Sequence, residues 1–249
     1  MKTQLTREHA LTLDEIKFFH QNGYLGPFTL IESEDFKRVQ NHLEDILFGK
    51  NKKNNGKENV HNRHLIDDVM LDISLKSTLA DRITSLLGDD ALLWRTNFFN
   101  KDPGGKEIPW HQDYNYWPLE PSIVVSAWVA CDDVDTENSC VQIIPQSHRK
   151  ILPHISCIDD KGLNFGEKAD PTYFQVENVI NMELKAGQFF LFNERLLHHS
   201  FTNTSNRRRL GLAIRSIAGI TEVMDYDSKG HVLYPLGKAN DMGINKLAL

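Results

Sequence analysis

The chain has 249 residues, of which 40% are hydrophobic and 25% are charged. This size and balance are typical of one globular domain, placed here over residues 1–249, with a core large enough to fold without disulfide bonds. The formal net charge of −6 gives no electrostatic reason to expect a nucleic acid as a partner.

The cysteines bear on the cellular compartment. Cys131, Cys140 and Cys157 form an odd set without a CxxC pair, which favours a reduced, intracellular protein. No apolar run has the length of a membrane span, and the opening MKTQLTREHALTLDE lacks the apolar core of a signal peptide. We therefore expect a cytoplasmic protein with no membrane partner.

Residues 1–90 are predicted to form a helical N-terminal portion. Thr12, followed three residues later by Glu15, is a capping-box pattern that marks the first helix. Helical spacing of apolar residues predicts helices over residues 12–22, 34–48 and 77–87. The Asn/Lys/Gly-rich segment Gly49–Asn59 has nothing to bury. We interpret it as a solvated loop, with a lid over a site as the alternative.

From residue 91 onward, short aliphatic and aromatic runs alternate with turn-forming clusters such as DPGG, DDVDTEN and NTSN. These runs predict seven strands, over residues 91–100, 122–131, 140–145, 173–184, 188–193, 196–203 and 209–217. Short strands after a helical block favour a mainly β fold, a sandwich or barrel buttressed by helices. The core then covers residues 91–220, with 221–249 as a C-terminal extension.

The segment PWHQD places His111 and Asp113 two residues apart. Residues i and i+2 of a strand project to the same side, so both side chains can bind one cation. On a helix, side chains two residues apart point in different directions. His42 and Glu44, in a predicted helix, are therefore expected to be a pair of surface residues and not metal ligands. A His-x-Asp pair alone is weak evidence, because about one is expected by chance in such a chain.

A later histidine strengthens the metal prediction. His198 follows the apolar run 188–193, near the start of the next predicted strand. With His111 and Asp113 it can complete a set of two histidines and one carboxylate on one face of an octahedral metal. Such a set leaves positions for a chelating co-substrate and O2, as in non-haem Fe(II) oxygenases.

Arg209 opens the last predicted strand. If the NTSN turn is centred between residues 204 and 205, His198 pairs with Gly211, and Arg209 lies one pair away on the same face. Its guanidinium can then offer two parallel N–H donors to a carboxylate at the metal. Strand alternation puts Arg209, Gly211, Ala213 and Arg215 on one face and Leu210, Leu212, Ile214 and Ser216 on the other. We interpret the first face as a ligand-lined interior; the alternative is an edge strand with solvated arginines.

At these residues the chain resembles the phytanoyl-CoA dioxygenase-like branch of the Fe(II)/2-oxoglutarate-dependent oxygenases. Within that branch it is most similar to the hydroxylating relatives of aliphatic chlorinating enzymes. The resemblance covers roughly residues 20–220 and lies in NGYLGPFTL, WRTNFFNKDPGGKEIPWHQD, AWVACDDVDTENSCVQIIPQSHR and GQFFLFNERLLHHSFTNTSNRRRLGLAIR, in that order. It implies a double-stranded β-helix (jelly-roll, cupin-like) fold. It also implies Fe(II) as cofactor, with 2-oxoglutarate and O2 as co-substrates.

The resemblance further implies that His111, Asp113 and His198 are the catalytic metal ligands. Arg209, eleven residues after the distal histidine, is implied to anchor 2-oxoglutarate. His199 is the alternative distal ligand, but alternation turns it to the other face, and the family's Leu-Leu-His pattern matches His198. Chlorinating members carry Gly or Ala at the position of Asp113, so the retained carboxylate implies hydroxylation rather than halogenation.

Further residues are expected near the site. Thr96 and Asn97 lie on a strand that should run beside it; both are candidates for contact with 2-oxoglutarate, and Asn97 also with the substrate. Arg215, on the interior face of its strand, is a candidate partner for a substrate carboxylate. Trp110 and Trp128 are expected in the core, with the pocket wall as the alternative.

These inferences predict an enzyme that hydroxylates an unactivated C–H bond of a small molecule. By resemblance, the substrate is an amino acid or an amino-acid-like molecule, free or tethered to a carrier protein. The alternatives are a halogenase, epoxidase or desaturase of the same family, a non-oxygenase cupin-type isomerase, and a non-catalytic binding module. The isomerase would not need Arg209.

Overall fold

The computed structural model describes residues 7–49, 60–158, 166–224, 232–237 and 247–248. Its helices are α1 (Leu13–Asn22), α2 (Ser33–Leu43), α3 (Asp68–Ser74) and α4 (Ser77–Leu87), with a π-helical turn (Glu44–Phe48) directly after α2. Over these stretches, no helix has the length and apolarity needed to cross a membrane. The predicted loop after Gly49 lies outside the described residues.

The capping box predicted at the start of α1 is confirmed. Thr12 Oγ1 accepts a hydrogen bond from the Glu15 backbone N–H at 3.3 Å, and Glu15 Oε2 accepts one from the Thr12 N–H at 2.8 Å. Gly23 ends the helix in the left-handed conformation, with φ 81°, and a Cβ there would overlap the His148 ring. Only glycine meets both conditions without strain.

The strands of the described residues are β1 (Tyr24–Thr29), β2 (Leu92–Lys101), β3 (Ile108–His111), β4 (Leu119–Glu120), β5 (Val124–Ala130), β6 (Val141–Ile143), β7 (His154–Ser156), β8 (Glu167–Ala169), β9 (Ile180–Met182), β10 (Gln188–Asn193), β11 (His198–Ser200), β12 (Arg209–Ile217), β13 (Glu222–Val223), β14 (Val232–Pro235) and β15 (Leu247–Ala248). They form a major sheet in the order β1-β10-β5-β12-β2-β14-β15 and a minor sheet in the order β3-β11-β6-β9. Two further two-stranded sheets, β4-β13 and β7-β8, complete the arrangement. Every strand pair is antiparallel.

The two sheets pack face to face around an apolar cluster. Trp128 and Phe190 of the major sheet share this cluster with Val141 and Ile143 of the minor sheet. The other face of the major sheet packs against the helices through a larger cluster that includes Phe19, Phe36, Leu79, Ile83, Leu210, Leu212 and Ile214. The fold is therefore mainly β with flanking helices, a double-stranded β-helix, as predicted.

Continuous apolar runs located the strands well. The predictions over 188–193 and 209–217 match β10 and β12 residue for residue. The prediction over 173–184 is wrong in its first part, where only Ile180–Met182 is a strand. Tyr173 and Val176 are exposed, and Asn178 adopts a left-handed conformation (φ 53°) that interrupts an extended chain.

The N-terminal portion, predicted to be helical, also contributes the strand β1 to the major sheet. β1 pairs with β10 at the edge of the major sheet, with a register shift between Leu25 and Phe28. Gly26 and Pro27 lie at that irregularity, where a residue without a backbone N–H is tolerated. Because Gly and Pro are both unfavourable inside strands, the sequence around them does not predict one. The extent of a single domain over residues 1–249 stays a prediction.

Candidate metal centre

His111, Asp113 and His198 converge on one point. His198 on β11 lies directly opposite His111 on β3. β3 ends at His111, and Asp113 begins the 3-10 turn Asp113–Tyr116, which brings its carboxylate back toward the two rings. One ligand atom of each side chain lies within 4.8 Å of the others. The three residues singled out in the sequence converge, but Asp113 does so from a turn and not from the strand that the spacing predicted.

The local geometry sets which nitrogen of each histidine faces the centre. His111 Nδ1 lies 2.8 Å from the Pro109 carbonyl oxygen, and His198 Nδ1 lies 2.9 Å from that of Leu196. A carbonyl oxygen only accepts, so each Nδ1 carries the proton and each Nε2 presents a lone pair. The two Nε2 atoms lie 3.8 Å and 3.9 Å from Asp113 Oδ1. These separations exceed hydrogen-bond length and leave space for one ion between the three donors.

The electrostatics of the three residues fit a divalent cation. Burial, followed by the neighbouring His198, lowers the pKa of His111 well below its usual range, so the imidazole is neutral. Asp113 is 5% exposed, and its Oδ2 atom is buried without a hydrogen-bond partner. Arg215 Nη2 approaches this oxygen only at 3.6 Å, beyond hydrogen-bond length, so a bound cation would further compensate the buried carboxylate. Two neutral imidazoles and one carboxylate form a donor set that Fe(II) accepts.

A cavity of about 300 Å³ adjoins the three donors. Its walls combine aromatic and aliphatic side chains with a few polar groups, as in sites for small ligands. Besides the three donors it is lined by His61, Asn97, Phe99, Ile108, Tyr116, Trp117, Trp128, Val141, Phe192, His199, Ser200, Arg209, Ala213 and Arg215.

Arg209 is buried in the cavity wall. It is 1% exposed, its guanidinium carbon lies 5.5 Å from the Trp128 ring centre, and Nη2 donates a long hydrogen bond of 3.5 Å to Ser200 Oγ. Its Nε has no hydrogen-bond partner, and no carboxylate of the described residues forms an ion pair with it. Burial lowers the pKa of Arg209 to about 10, so it remains a cation at neutral pH. An uncompensated guanidinium facing a cavity fits an anionic ligand.

The predicted pairing of His198 with Gly211 is wrong. β11 pairs with β3 and β6 in the minor sheet, whereas β12 lies between β2 and β5 in the major sheet. The segment between them crosses from one sheet to the other instead of forming a hairpin. Arg209 still reaches the cavity, because the two sheets face each other.

The predicted alternation along β12 is confirmed. Arg209, Ala213 and Arg215 line the cavity, and a Cβ at Gly211 would overlap the Trp128 ring. The leucines at 210 and 212 belong to the cluster beneath the helices. The alternative of an edge strand with solvated arginines is excluded, since β12 is central and both arginines are buried.

Arg215 lies beside the metal centre. Its Nη2 is 3.6 Å from Asp113 Oδ2, and its guanidinium lies over the rings of Trp117 and Phe99 at 5.1 Å and 5.8 Å. It is 7% exposed and its Nε has no hydrogen-bond partner. Among the described residues, Arg215 therefore has Asp113 as an ion-pair partner, and it also lines the cavity.

Only one of the two neighbours on β2 faces the cavity. Asn97 lines it, and its Oδ1 lies 2.5 Å from His61 Nδ1. Thr96 is buried on the opposite face of the strand, where its hydroxyl is 2.9 Å from His64 Nδ1. The expectation that Thr96 contacts 2-oxoglutarate is corrected on this geometry, because successive residues of a strand point to opposite faces.

His199 is engaged elsewhere. Its Nε2 lies 3.0 Å from Glu107 Oε1, its Nδ1 lies 3.2 Å from Gln142 Oε1, and its ring stacks on Trp110 at 4.8 Å. Both ring nitrogens are thus occupied away from Asp113. Trp110 packs against a separate apolar cluster that includes Leu152 and Leu197, whereas Trp128 forms part of the cavity wall.

His42 and Glu44 diverge and stay partly exposed, as the helical spacing predicts. His42 Nε2 lies 2.9 Å from Asp67 Oδ2, and Glu44 pairs with Arg208 at 2.7 Å. Neither residue lines the cavity.

Sequence reasoning missed several cavity residues. Ser200 lies two residues after His198, so alternation along β11 could have found it. Tyr116 and Trp117 follow the His-x-Asp pair directly, in the turn that positions Asp113. His61 comes from the N-terminal portion, and no local pattern connects it to the site.

Comparison with known proteins identifies the family. The model of the family Phytanoyl-CoA dioxygenase (PhyH) matches residues 19–211, well over half of the chain. The chain belongs to the phytanoyl-CoA dioxygenase family. As a member of this family it is a 2-oxoglutarate-dependent non-haem iron dioxygenase, with Fe(II) as cofactor and 2-oxoglutarate and O2 as co-substrates.

Individual relatives are distant. The peroxisomal phytanoyl-CoA dioxygenase of Bos taurus is 26% identical over 236 residues, covering 84% of this chain and 70% of its own length. Among solved structures, the non-haem monooxygenase ThoJ without metal has a TM-score of 0.73 at 22% identity, covering 85% of this chain and 80% of its own. CytC3 with Fe(II) and α-ketoglutarate has a TM-score of 0.68 at 23% identity, with coverages of 88% and 82%. These two structures share the fold of this family member.

Proposed function

We propose that this phytanoyl-CoA dioxygenase family member hydroxylates an unactivated C–H bond of a small molecule. The observation that carries the proposal is the convergence of His111, Asp113 and His198 beside a buried guanidinium that has no carboxylate partner among the described residues. The three side chains are the proposed catalytic metal ligands. Arg209 is the proposed anchor for 2-oxoglutarate.

The bound Fe(II), with 2-oxoglutarate and O2, supplies the oxidising chemistry. The protein holds both histidines in the tautomer that leaves Nε2 unprotonated, through the carbonyls of Pro109 and Leu196. Aromatic side chains line the cavity, and the Asp113 carboxylate would supply a negative charge that partly neutralises a bound metal.

The part of the cavity wall around Arg209 is proposed to bind 2-oxoglutarate. Arg209 offers a fork of N–H donors, and the Ser200 hydroxyl lies 3.5 Å from its Nη2. A carboxylate of 2-oxoglutarate would compensate the buried charge. Asn97 lines the same cavity and is proposed to contact 2-oxoglutarate or the substrate.

The substrate is proposed to be an amino acid or an amino-acid-like molecule, either free or tethered to a carrier. A cavity of about 300 Å³ that also admits 2-oxoglutarate has room for a small reacting group. Arg215 is proposed to pair with a substrate carboxylate, supported by its burial, its place in the cavity wall and an Nε without a hydrogen-bond partner among the described residues. Its aromatic neighbours would hold the guanidinium in place.

Hydroxylation is favoured over halogenation by Asp113. As a metal ligand, the Asp113 carboxylate would take the place that a halide needs, and Arg215 Nη2 lies 3.6 Å from its Oδ2. Chlorinated product from the unmodified enzyme would refute this assignment.

The test is turnover of a substrate library by the protein reconstituted with Fe(II), 2-oxoglutarate and ascorbate. The expected result is succinate release coupled to the gain of one oxygen atom by one library member. His111→Ala is the matched inactive control, since it removes a proposed ligand. Turnover that needs neither 2-oxoglutarate nor O2 would instead support the cupin-type isomerase, and absence of Fe(II) binding would support the non-catalytic module.

The compartment is proposed to be the cytoplasm, on the sequence argument alone. The cattle relative is peroxisomal by name. Fractionation of the source cells with an antibody to the chain distinguishes the two compartments.

A further inference from the structure

A second buried cation, Lys101, lies beside Arg209. Lys101 ends β2 and is the cross-strand partner of Arg209, which begins β12. The two residues are 5% and 1% exposed. In the described part of the chain no carboxylate forms an ion pair with either one, and the nearby Glu107 charge only partly offsets the lowering of the Lys101 pKa. Two neighbouring buried cations repel each other, so an anion bound beside them would be stabilised by both.

The Lys101 ammonium is fully occupied by protein acceptors. Nζ donates to Ser200 Oγ at 2.8 Å, to Ser139 Oγ at 3.0 Å and to the Phe201 carbonyl at 2.6 Å, and the Ser200 carbonyl lies 3.2 Å away. An ammonium has only three N–H donors. Lys101 is not among the residues that line the cavity, so it acts on a ligand there only through another side chain.

That side chain is Ser200. Its Oγ receives the Lys101 ammonium at 2.8 Å, and Arg209 Nη2 approaches the same oxygen at 3.5 Å. Both neighbours are donors that cannot accept, so they occupy the lone pairs of the hydroxyl. The hydroxyl hydrogen is then left to donate to a third group. Ser200 lines the cavity, and the acceptor is therefore expected there.

We propose that Lys101 is a positioning residue that fixes the Ser200 hydroxyl as a donor toward the second carboxylate of 2-oxoglutarate, next to Arg209. The proposal rests on the proposed function of the cavity. Burial, followed by the neighbouring Arg209, lowers the pKa of the Lys101 ammonium to about 7. A carboxylate held between Ser200 and Arg209 offsets this penalty and keeps the ammonium protonated.

The test compares two 2-oxo acids by calorimetric titration of the Mn(II)-loaded protein. 2-Oxoglutarate carries the second carboxylate, whereas pyruvate chelates a metal in the same way without it. In Lys101→Met the affinity for 2-oxoglutarate is expected to fall about tenfold, the effect of one hydrogen bond to a charged group. The affinity for pyruvate is expected to stay that of the wild type. Lys185→Met, at a position with 72% side-chain exposure, is the matched control and should change neither.

A double variant checks that Lys101 acts through Ser200. If it does, Lys101→Met combined with Ser200→Ala binds 2-oxoglutarate no more weakly than Ser200→Ala alone. Losses that add in the double variant would overturn the proposal. So would equal affinity of Lys101→Met and wild type for 2-oxoglutarate, or equal losses for the two acids.

A second variant, Lys101→Gln, is used if removal of the buried ammonium in Lys101→Met prevents folding. Lys101→Gln keeps N–H donors for the nearby carbonyls, and the same selective loss of 2-oxoglutarate affinity is expected at smaller size. A Lys101→Gln protein that binds both acids like the wild type would overturn the proposal. If the wild type itself fails to bind 2-oxoglutarate, the proposed function has failed and not only the role of Lys101.

Discussion

His198 lies directly across from His111 on the adjacent strand, with their ring centres 4.1 Å apart. Each ring is fixed from behind by a backbone carbonyl two residues earlier in the chain. The pair therefore needs no rearrangement to present two nitrogen lone pairs to one ion. Asp113 adds the charge that two neutral imidazoles lack.

The two adjacent histidines of β11 are expected to differ sharply in metal binding. His198→Ala should weaken Mn(II) or Fe(II) binding at least about 100-fold, because even partners outside the ligand set cost about 10- to 100-fold. His199→Ala removes contacts with Glu107 and Gln142 and should leave the affinity close to that of wild type. Calorimetric metal titration measures both. A reversed order of the two variants would make His199 the ligand.

The sequence predicted those parts of the site that depend on strand alternation. Arg209 and Arg215 reach one cavity because alternate residues of a strand share a face, whereas Asp113 reaches it from the 3-10 turn that follows β3. The relation between β11 and β12 could not be predicted, since a short polar connection looks the same whether it closes a hairpin or crosses between sheets. His61 enters from a distant segment, and only the packing of the N-terminal portion on the sheet places it there.

Arg209→Ala separates the oxygenase from a metal isomerase on the same fold. The guanidinium is the only described charged group in the cavity wall without a charged partner, so its loss should abolish most 2-oxoglutarate binding and succinate release. Metal binding should persist, since Arg209 contacts none of the three ligands. The readouts are succinate formation and the apparent KM for 2-oxoglutarate. Unchanged values for both would remove 2-oxoglutarate from the proposed reaction.

Arg215→Ala tests the substrate side of the cavity. If Arg215 pairs with a substrate carboxylate, the KM for substrate should rise about tenfold or more while the KM for 2-oxoglutarate changes little. Metal affinity is measured in parallel, because Arg215 also lies 3.6 Å from Asp113. Arg207→Ala, at an exposed position, is the control. An unchanged substrate KM would end the assignment of Arg215 as an anchor.

Gly211 is expected to be essential for the shape of the cavity wall. A methyl group there would overlap the Trp128 ring, which itself lies beneath the Arg209 guanidinium. Gly211→Ala should therefore destabilise the fold by about 1–3 kcal/mol and weaken 2-oxoglutarate binding. Gly166→Ala is the matched control, because nothing lies within 4 Å of an added methyl group. Urea unfolding of both variants provides the comparison, and equal midpoints would show that Trp128 can move aside.

The buried His64 should make stability depend on pH. It is 1% exposed, its Nδ1 lies 2.9 Å from Thr96 Oγ1, and burial lowers its pKa from 6.5 to about 4. Between these two values the unfolded chain binds a proton that the folded chain does not, so stability falls as the pH falls from about 6.5 toward about 4. At about pH 5 the free energy of unfolding is expected to be lower than at neutral pH by about 2 kcal/mol.

His64→Gln removes the titrating group and keeps a hydrogen-bonding side chain, so it isolates this contribution from those of the other histidines. The free energy of unfolding of the wild type should drop more than that of His64→Gln when the pH is lowered from about 7.5 to about 5, by about 2 kcal/mol. Both proteins should lose equal stability below about pH 4, where His64 is protonated in the folded and unfolded states alike. Parallel pH profiles across the whole range would mean that the folded protein takes up the proton without cost, and that His64 is not held neutral by its burial against Thr96.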